Sequence, residues 1–221
     1  MRLEQARRTA RYAVYAIPGL REEDAAIGRR VREIAEPFLQ RTTTARRYGY
    51  HATLKAPFRL AGASEAVLER CAAVFAADHS PVMIPSLAIA RLGRFWALVP
   101  GAEAPALHAL ADAAVARFDA FRAELTDEEV ERRRPERLTQ VQRERLVAWG
   151  YPFVFDEFRF HITLTDEVGD DPAIGAELTA AFAPVLGADV PVETIALCVE
   201  PSPGADLEIL SVHPLTGTEA R

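Results

Sequence analysis

The chain has 221 residues, 49% hydrophobic and 26% charged, enough for one large domain or two small lobes sharing a core. Its net charge of −6 and pI of about 5.5 argue against a general nucleic-acid binder, while leaving room for a local basic pocket that takes a small anion. The two cysteines, Cys71 and Cys198, form no CxxC and no metal-like Cys/His spacing, so they read as buried small hydrophobes in a reduced, cytoplasmic protein.

The N-terminal stretch MRLEQARRTARYAVYAIPG lacks the apolar run of a signal peptide, and no segment of about 18 apolar residues marks a membrane span. RYAVYAI at 11–17 is aromatic and β-branched and reads as a strand ended by Pro18-Gly19. Ile27, Val31, Ile34 and Phe38 recur at helical spacing and predict a helix over 22–39, which Pro37 should end or bend. GYHATLKAPF at 49–58 predicts a strand with Gly49, His51, Thr53 and Lys55 on one side and Tyr50, Ala52, Leu54 and Ala56 on the other. Residues 64–79 predict a helix capped by Ser64, with Val67, Leu68, Cys71, Val74 and Phe75 as its apolar stripe.

Residues 82–100 read as two strands turning at Leu92-Gly93-Arg94, and 102–124 as a further helix. Residues 126–150 are densely charged, and Pro135 splits them into two short helices. They read as a solvated, charge-laced face rather than a lid supplying Arg132, Arg133, Arg134 or Arg143 to a cleft. A strand at 158–165, a helix near 172–183 and two strands joined by Pro201-Ser202-Pro203-Gly204 complete the chain. Helices interleaved with hairpin-like strand pairs favour an α+β fold with antiparallel sheet over a doubly wound parallel one.

Two of the five histidines carry a Thr two residues on, inside apolar β-like runs: His51-Ala52-Thr53-Leu54 and His161-Ile162-Thr163-Leu164. Ser and Thr total 18 of 221 residues, so a chance match is about 8% per histidine; two matches with Leu after each Thr and an aromatic before each His exceed that. In the second strand Arg159, His161, Thr163 and Thr165 share a face, and Phe158, Phe160, Ile162 and Leu164 share the other. Breaking a phosphodiester needs a base for the attacking oxygen and an acid for the leaving oxygen, and a pair of imidazoles can supply both near neutral pH. Hydroxyls such as Thr53 and Thr163 can donate to non-bridging oxygens, and Lys55 and Arg159 can offset charge. The chemistry requires no metal and no cofactor. Tyr15, His79, His108 and His213 read as structural, and Arg46 and Arg47 as loop residues.

With these motifs the chain resembles the 2H phosphoesterase superfamily, and more narrowly the DUF1045 family of phosphonate-metabolism-operon proteins. The carrying blocks are RYGYHATLKAPFRLA at 47–61, IARLGRFWALVP at 89–100 and LTQVQRERLVAWGYPFVFDEFRFHITLT at 138–165. The resemblance implies a single domain over 1–221 with two pseudo-symmetric lobes, each an antiparallel sheet backed by helices, and a cleft between them. It implies His51 and His161 as the acid/base pair and Thr53 and Thr163 as phosphate donors. It also implies a small cyclic phosphodiester as substrate, such as a phosphorylated ribosyl 1,2-cyclic phosphate. A binding module for a phosphorylated small molecule or nucleotide is the alternative. A third reading is a metal hydrolase using the two histidines with Asp156, Glu157 or Asp166; it lacks a recognised ligand spacing. The acidic pI argues against long RNA.

Overall fold

The computed structural model of the protein describes residues 9–168 and 172–218; residues 1–8, 169–171 and 219–221, which fall within the single-domain expectation, lie outside the described residues. The first predicted strand forms as β1 (Arg11–Ala16) and lies between β2 (Ala52–Phe58) and β8 (Thr194–Glu200), with β9 (Glu208–Pro214) outermost. All neighbours in this four-stranded sheet are antiparallel. β8 is buried at every position and β1 at all but Arg11, which is why both read as near-continuous apolar runs instead of alternating ones.

β4 (Ala88–Leu92), β5 (Phe95–Val99) and β6 (Ile162–Thr163) form a second antiparallel sheet, and β3 (Val82–Ile84) pairs with β7 (Val190–Val192) as a separate ribbon. The β4–β5 hairpin turns at Gly93-Arg94, where Gly93 takes a φ of +62° that a two-residue hairpin loop favours. Helix α1 (Ala26–Gln40) packs near β7 and α6 (Pro172–Phe182); α2 (Glu65–Asp78) packs on β8 and β9; α3 (Pro105–Asp119) packs on β2 and β3. The result is the expected α+β fold with antiparallel sheets backed by helices, but with unequal halves.

Several local expectations are corrected. Of the stripe expected on α2, Leu68 and Phe75 are buried and Cys71 is half-buried, but Val67 and Val74 are 38% and 47% exposed and Ala72 and Ala76 are buried in their place. Ala72 and Ala76 are small, so a count of large side chains misses them. Ser64 is the N-cap residue of α2, but its hydroxyl makes no cap hydrogen bond. Pro37 does not stop α1, which continues to Gln40. The helix expected over 102–124 is confined to 105–119.

The charged segment forms α4 (Asp127–Arg132) and α5 (Gln140–Trp149), separated at Pro135 as expected. Neither helix has much buried apolar surface: α4 buries nothing and α5 only Leu146. Local hydrogen bonding compensates. Thr126 with Glu129 and Thr139 with Gln142 each form a full capping box, and Gly150 closes α5 at a φ of +74°. Among the described residues no helix is long and apolar enough to cross a membrane.

Candidate active site

β2 is an edge strand of the four-stranded sheet and β6 an edge strand of the three-stranded sheet. They face each other across a cleft of about 820 Å³, lined by His51, Thr53, His161 and Thr163 among others. The structure therefore brings both H-x-T motifs to one cavity. The alternation predicted for the second strand holds from residue 160 on, with Phe160, Ile162 and Leu164 buried and His161, Thr163 and Thr165 half-buried on the cleft side. Phe158, expected on the inner face, is half-buried and lines a second cavity with Arg159, and the strand expected over 158–165 is confined to Ile162–Thr163. Thr165 Oγ1 also accepts from Trp96 N at 3.0 Å, and Leu164 N donates to Trp96 O at 2.9 Å, which fixes the strand against β5 beyond its two ladder residues.

The two imidazoles are anchored in the same way. His51 Nδ1 lies 2.9 Å from Gly49 O, and His161 Nδ1 lies 2.8 Å from Arg159 O. A carbonyl only accepts, so Nδ1 carries the proton and donates in both rings. Nε2 is then the nitrogen left to act in the cleft. The surroundings differ. The Tyr15 ring stacks on His51 with centroids 4.0 Å apart, and Tyr48 stands 6.1 Å away. His161 has Phe95 at 5.8 Å, tilted by 45°. Burial pushes the His51 imidazole down to about 4; the Gly49 carbonyl opposes this and His161 adds to it. Tyr15 is thus both core, at 2% exposure, and a wall of the site.

Lys55 does not reach the cleft. Register shifts between Tyr12 and Val14 and between Val14 and Tyr15 interrupt the β1–β2 ladder opposite Lys55 and Thr53. A bulge turns side chains from one face to the other. Along the cleft wall His51 and Thr53 are accordingly followed by Ala56. Lys55 is 3% exposed, and its Nζ donates to Asp119 Oδ1 at 2.7 Å and Trp149 O at 3.4 Å. It ties β2 to the ends of α3 and α5. Burial lowers its pKa, with the Asp119 carboxylate opposing.

Arg159 is exposed and lines an adjoining cavity of about 440 Å³, which shares Thr53 and His161 with the cleft and is walled by Phe95, Tyr151, Phe155 and Phe158. Of the remaining charged candidates, Arg47 is drawn to Glu200 and Ala205 O, while Asp156 pairs with Arg145 and Glu157 accepts from Gln142 at 3.0 Å. Asp166 accepts from the backbone of Thr43, Thr44 and Ala45 and from the Thr43 hydroxyl. Burial would raise its pKa, but those hydrogen bonds outweigh it and hold the carboxyl at about 2. Among the described residues no group of three His, Cys, Asp or Glu is arranged to hold a metal ion. His79, His108 and His213 lie away from the cleft, on Phe75, Phe158 and Ser211 respectively.

The solvated reading of the charged segment needs correction. Arg132 and Arg133, at the end of α4, line the cleft, and the Arg133 guanidinium lies 4.8 Å from the Tyr151 ring centroid. The signal in the sequence was the run of three arginines before Pro135, but charge runs of that kind are commonly solvated.

A family profile described as "Protein of unknown function (DUF1045)" matches residues 53–208, and the chain belongs to that family. It is 35% identical over 187 residues to a protein named ribose 1,5-bisphosphate phosphokinase PhnN from Janthinobacterium sp. (strain Marseille), over 81% of this chain and 41% of that protein. It is 40% identical over 169 residues to a protein of the same name from Laribacter hongkongensis (strain HLHK9), over 75% of this chain and 38% of that one. The chain thus spans about two fifths of the length of these curated relatives. Among solved structures it is similar to E. coli LigT complexed with 3'-AMP, at 12% identity and a TM-score of 0.46, covering 94% and 99% of the two chains. It is also similar to TT0787 of Thermus thermophilus, at 19% identity and a TM-score of 0.47, covering 95% and 100%.

Proposed function

We propose that the protein is a metal-independent phosphodiesterase that opens a small cyclic phosphodiester by two-histidine acid/base catalysis. The observation that carries this reading is the matched anchoring of His51 and His161, each tied through Nδ1 to the carbonyl two residues back, in one cleft. Such anchoring fixes tautomer and ring orientation, as an acid/base pair requires. The lowered pKa of His51 keeps it neutral near pH 7 and assigns it the base. Water attacks phosphorus as His51 Nε2 takes its proton, the endocyclic P–O bond breaks, and His161 Nε2 gives a proton to the leaving oxygen. Thr53 and Thr163 donate to the non-bridging oxygens.

A phosphorylated ribosyl 1,2-cyclic phosphate fits best as substrate. Opening its bond to O2 leaves a 1-phosphate beside the 5-phosphate, which is the sugar bisphosphate in the name of the curated relatives. A second reading, a binding module for a nucleotide, is favoured by the aromatic side cavity beside His161, whose walls suit a planar base. Phosphorus NMR with EDTA present, over a panel of nucleoside 2′,3′-cyclic and ribosyl 1,2-cyclic phosphates, separates the two. Conversion to a monoester, lost in His51→Ala and His161→Ala, is expected. Tight binding without product, or loss of turnover on chelation, would sink the enzyme reading as stated.

A further inference from the structure

The ionic side chains lining the cleft are unevenly committed. Its carboxylates are all engaged: Glu129 by Arg59 at 2.9 Å, Asp166 by the Thr43–Ala45 backbone, and Glu167 by Arg94 at 3.3 Å. Of its arginines, Arg11 pairs with the buried Glu200, and Arg132 donates to the Glu128 carbonyl of its own helix at 3.4 Å and acts on Glu129 through its charge. Arg133 is half-buried with its guanidinium 4.8 Å from the Tyr151 ring centroid, and among the described residues no carboxylate or carbonyl accepts from that guanidinium. Burial weighs on it most, Tyr151 offsets part of this, and the like charges of Arg11 and Arg132 add to the cost. A guanidinium withdrawn from water beside other cations is costly unless an anion meets it. Its donor edge is free for a forked contact, while the tyrosine ring holds its plane.

Resting on the two-histidine reading, we propose that Arg133, supported by Arg132 and Arg11, forms a second anion subsite. It would grip a phosphomonoester carried by the same small molecule whose cyclic ester lies between His51 and His161. The subsite would select phosphorylated sugars over their unphosphorylated counterparts, and it lies on the charged segment outside the two H-x-T strands.

The test measures kcat/KM for a ribosyl cyclic phosphate with and without its remote phosphate, in the wild type, Arg133→Gln and Arg133→Lys. Arg133→Gln keeps a flat polar group over Tyr151 without the charge. The ratio of the two kcat/KM values should fall about 10–100-fold in Arg133→Gln and less in Arg133→Lys, from the loss of charged hydrogen bonds. An unchanged ratio, including equal loss on both substrates, overturns the subsite and marks the Tyr151 stack as structural. A parallel titration follows ribose 5-phosphate binding to the same proteins by calorimetry. Binding weakened by Arg133→Gln, with no cyclic ester turned over by the wild type, upholds the subsite and removes the enzyme reading. Binding indifferent to Arg133, with normal turnover, does the reverse.

Discussion

The two half-sites share a motif and an anchor, yet their surroundings differ. His51 lies under the Tyr15 ring at 4.0 Å on the edge of a four-stranded sheet; His161 has a tilted Phe95 ring at 5.8 Å on the edge of a shorter one. Strand pairing supplies this difference: β1 carries an aromatic opposite Thr53 of the first motif and β2 bulges against it, while β5 pairs with β6 without a register shift. The comparison teaches that duplicated motifs need not give duplicated roles. Burial pushes His51 towards the neutral form, and in the proposed reaction the acid's part then falls to His161.

The largest expected effects come from removing either side of the comparison. His51→Ala and His161→Ala should each lower kcat by about 10²–10⁴-fold, with unchanged circular dichroism. Equal residual rates at every pH would erase the division of labour. Thr53→Val and Thr163→Val should each cost about 10²-fold in kcat/KM, comparable to losing one preorganised donor. A loss confined to one threonine would show that phosphate is held from one lobe only.

Lys55→Ala should destabilise the protein by about 2–4 kcal/mol in urea unfolding, since it removes the buried partner of Asp119. Arg122 also bonds Asp119, at 2.7 Å, which limits the loss. A raised KM at unchanged stability would instead return Lys55 to the substrate. The smallest effect is expected for Arg159→Ala, less than about tenfold in KM, because its exposed side chain lies in the side cavity and is screened by water.

Much of this was legible in the chain. Alternation around His161 correctly placed Phe160, Ile162 and Leu164 inward, and the turn at Gly93 and the break at Pro135 fell as predicted. Lys55 was misplaced because a β-bulge depends on the pairing partner, and a strict period of two cannot register it. The stripe of α2 was right at Leu68 and Phe75 and wrong at Val67 and Val74, because the small Ala72 and Ala76 carry no signal in a count of large apolar side chains. Tyr15 was read as core and is also a wall of the cleft, since a single strand reading does not show what stacks on it. Arg133 escaped because neither periodicity nor composition separates an arginine over an aromatic ring from its solvated neighbours.

The pH dependence of kcat/KM on a cyclic phosphate, with EDTA present, bears most directly on the central claim. The proposed reaction needs His51 neutral, so the rate should rise with pH through the His51 transition. The acid limb is predicted near 4, well below the ordinary imidazole value of 6.5. A flat profile, or an acid limb at or above 6.5, would contradict the assignment of His51 as the base.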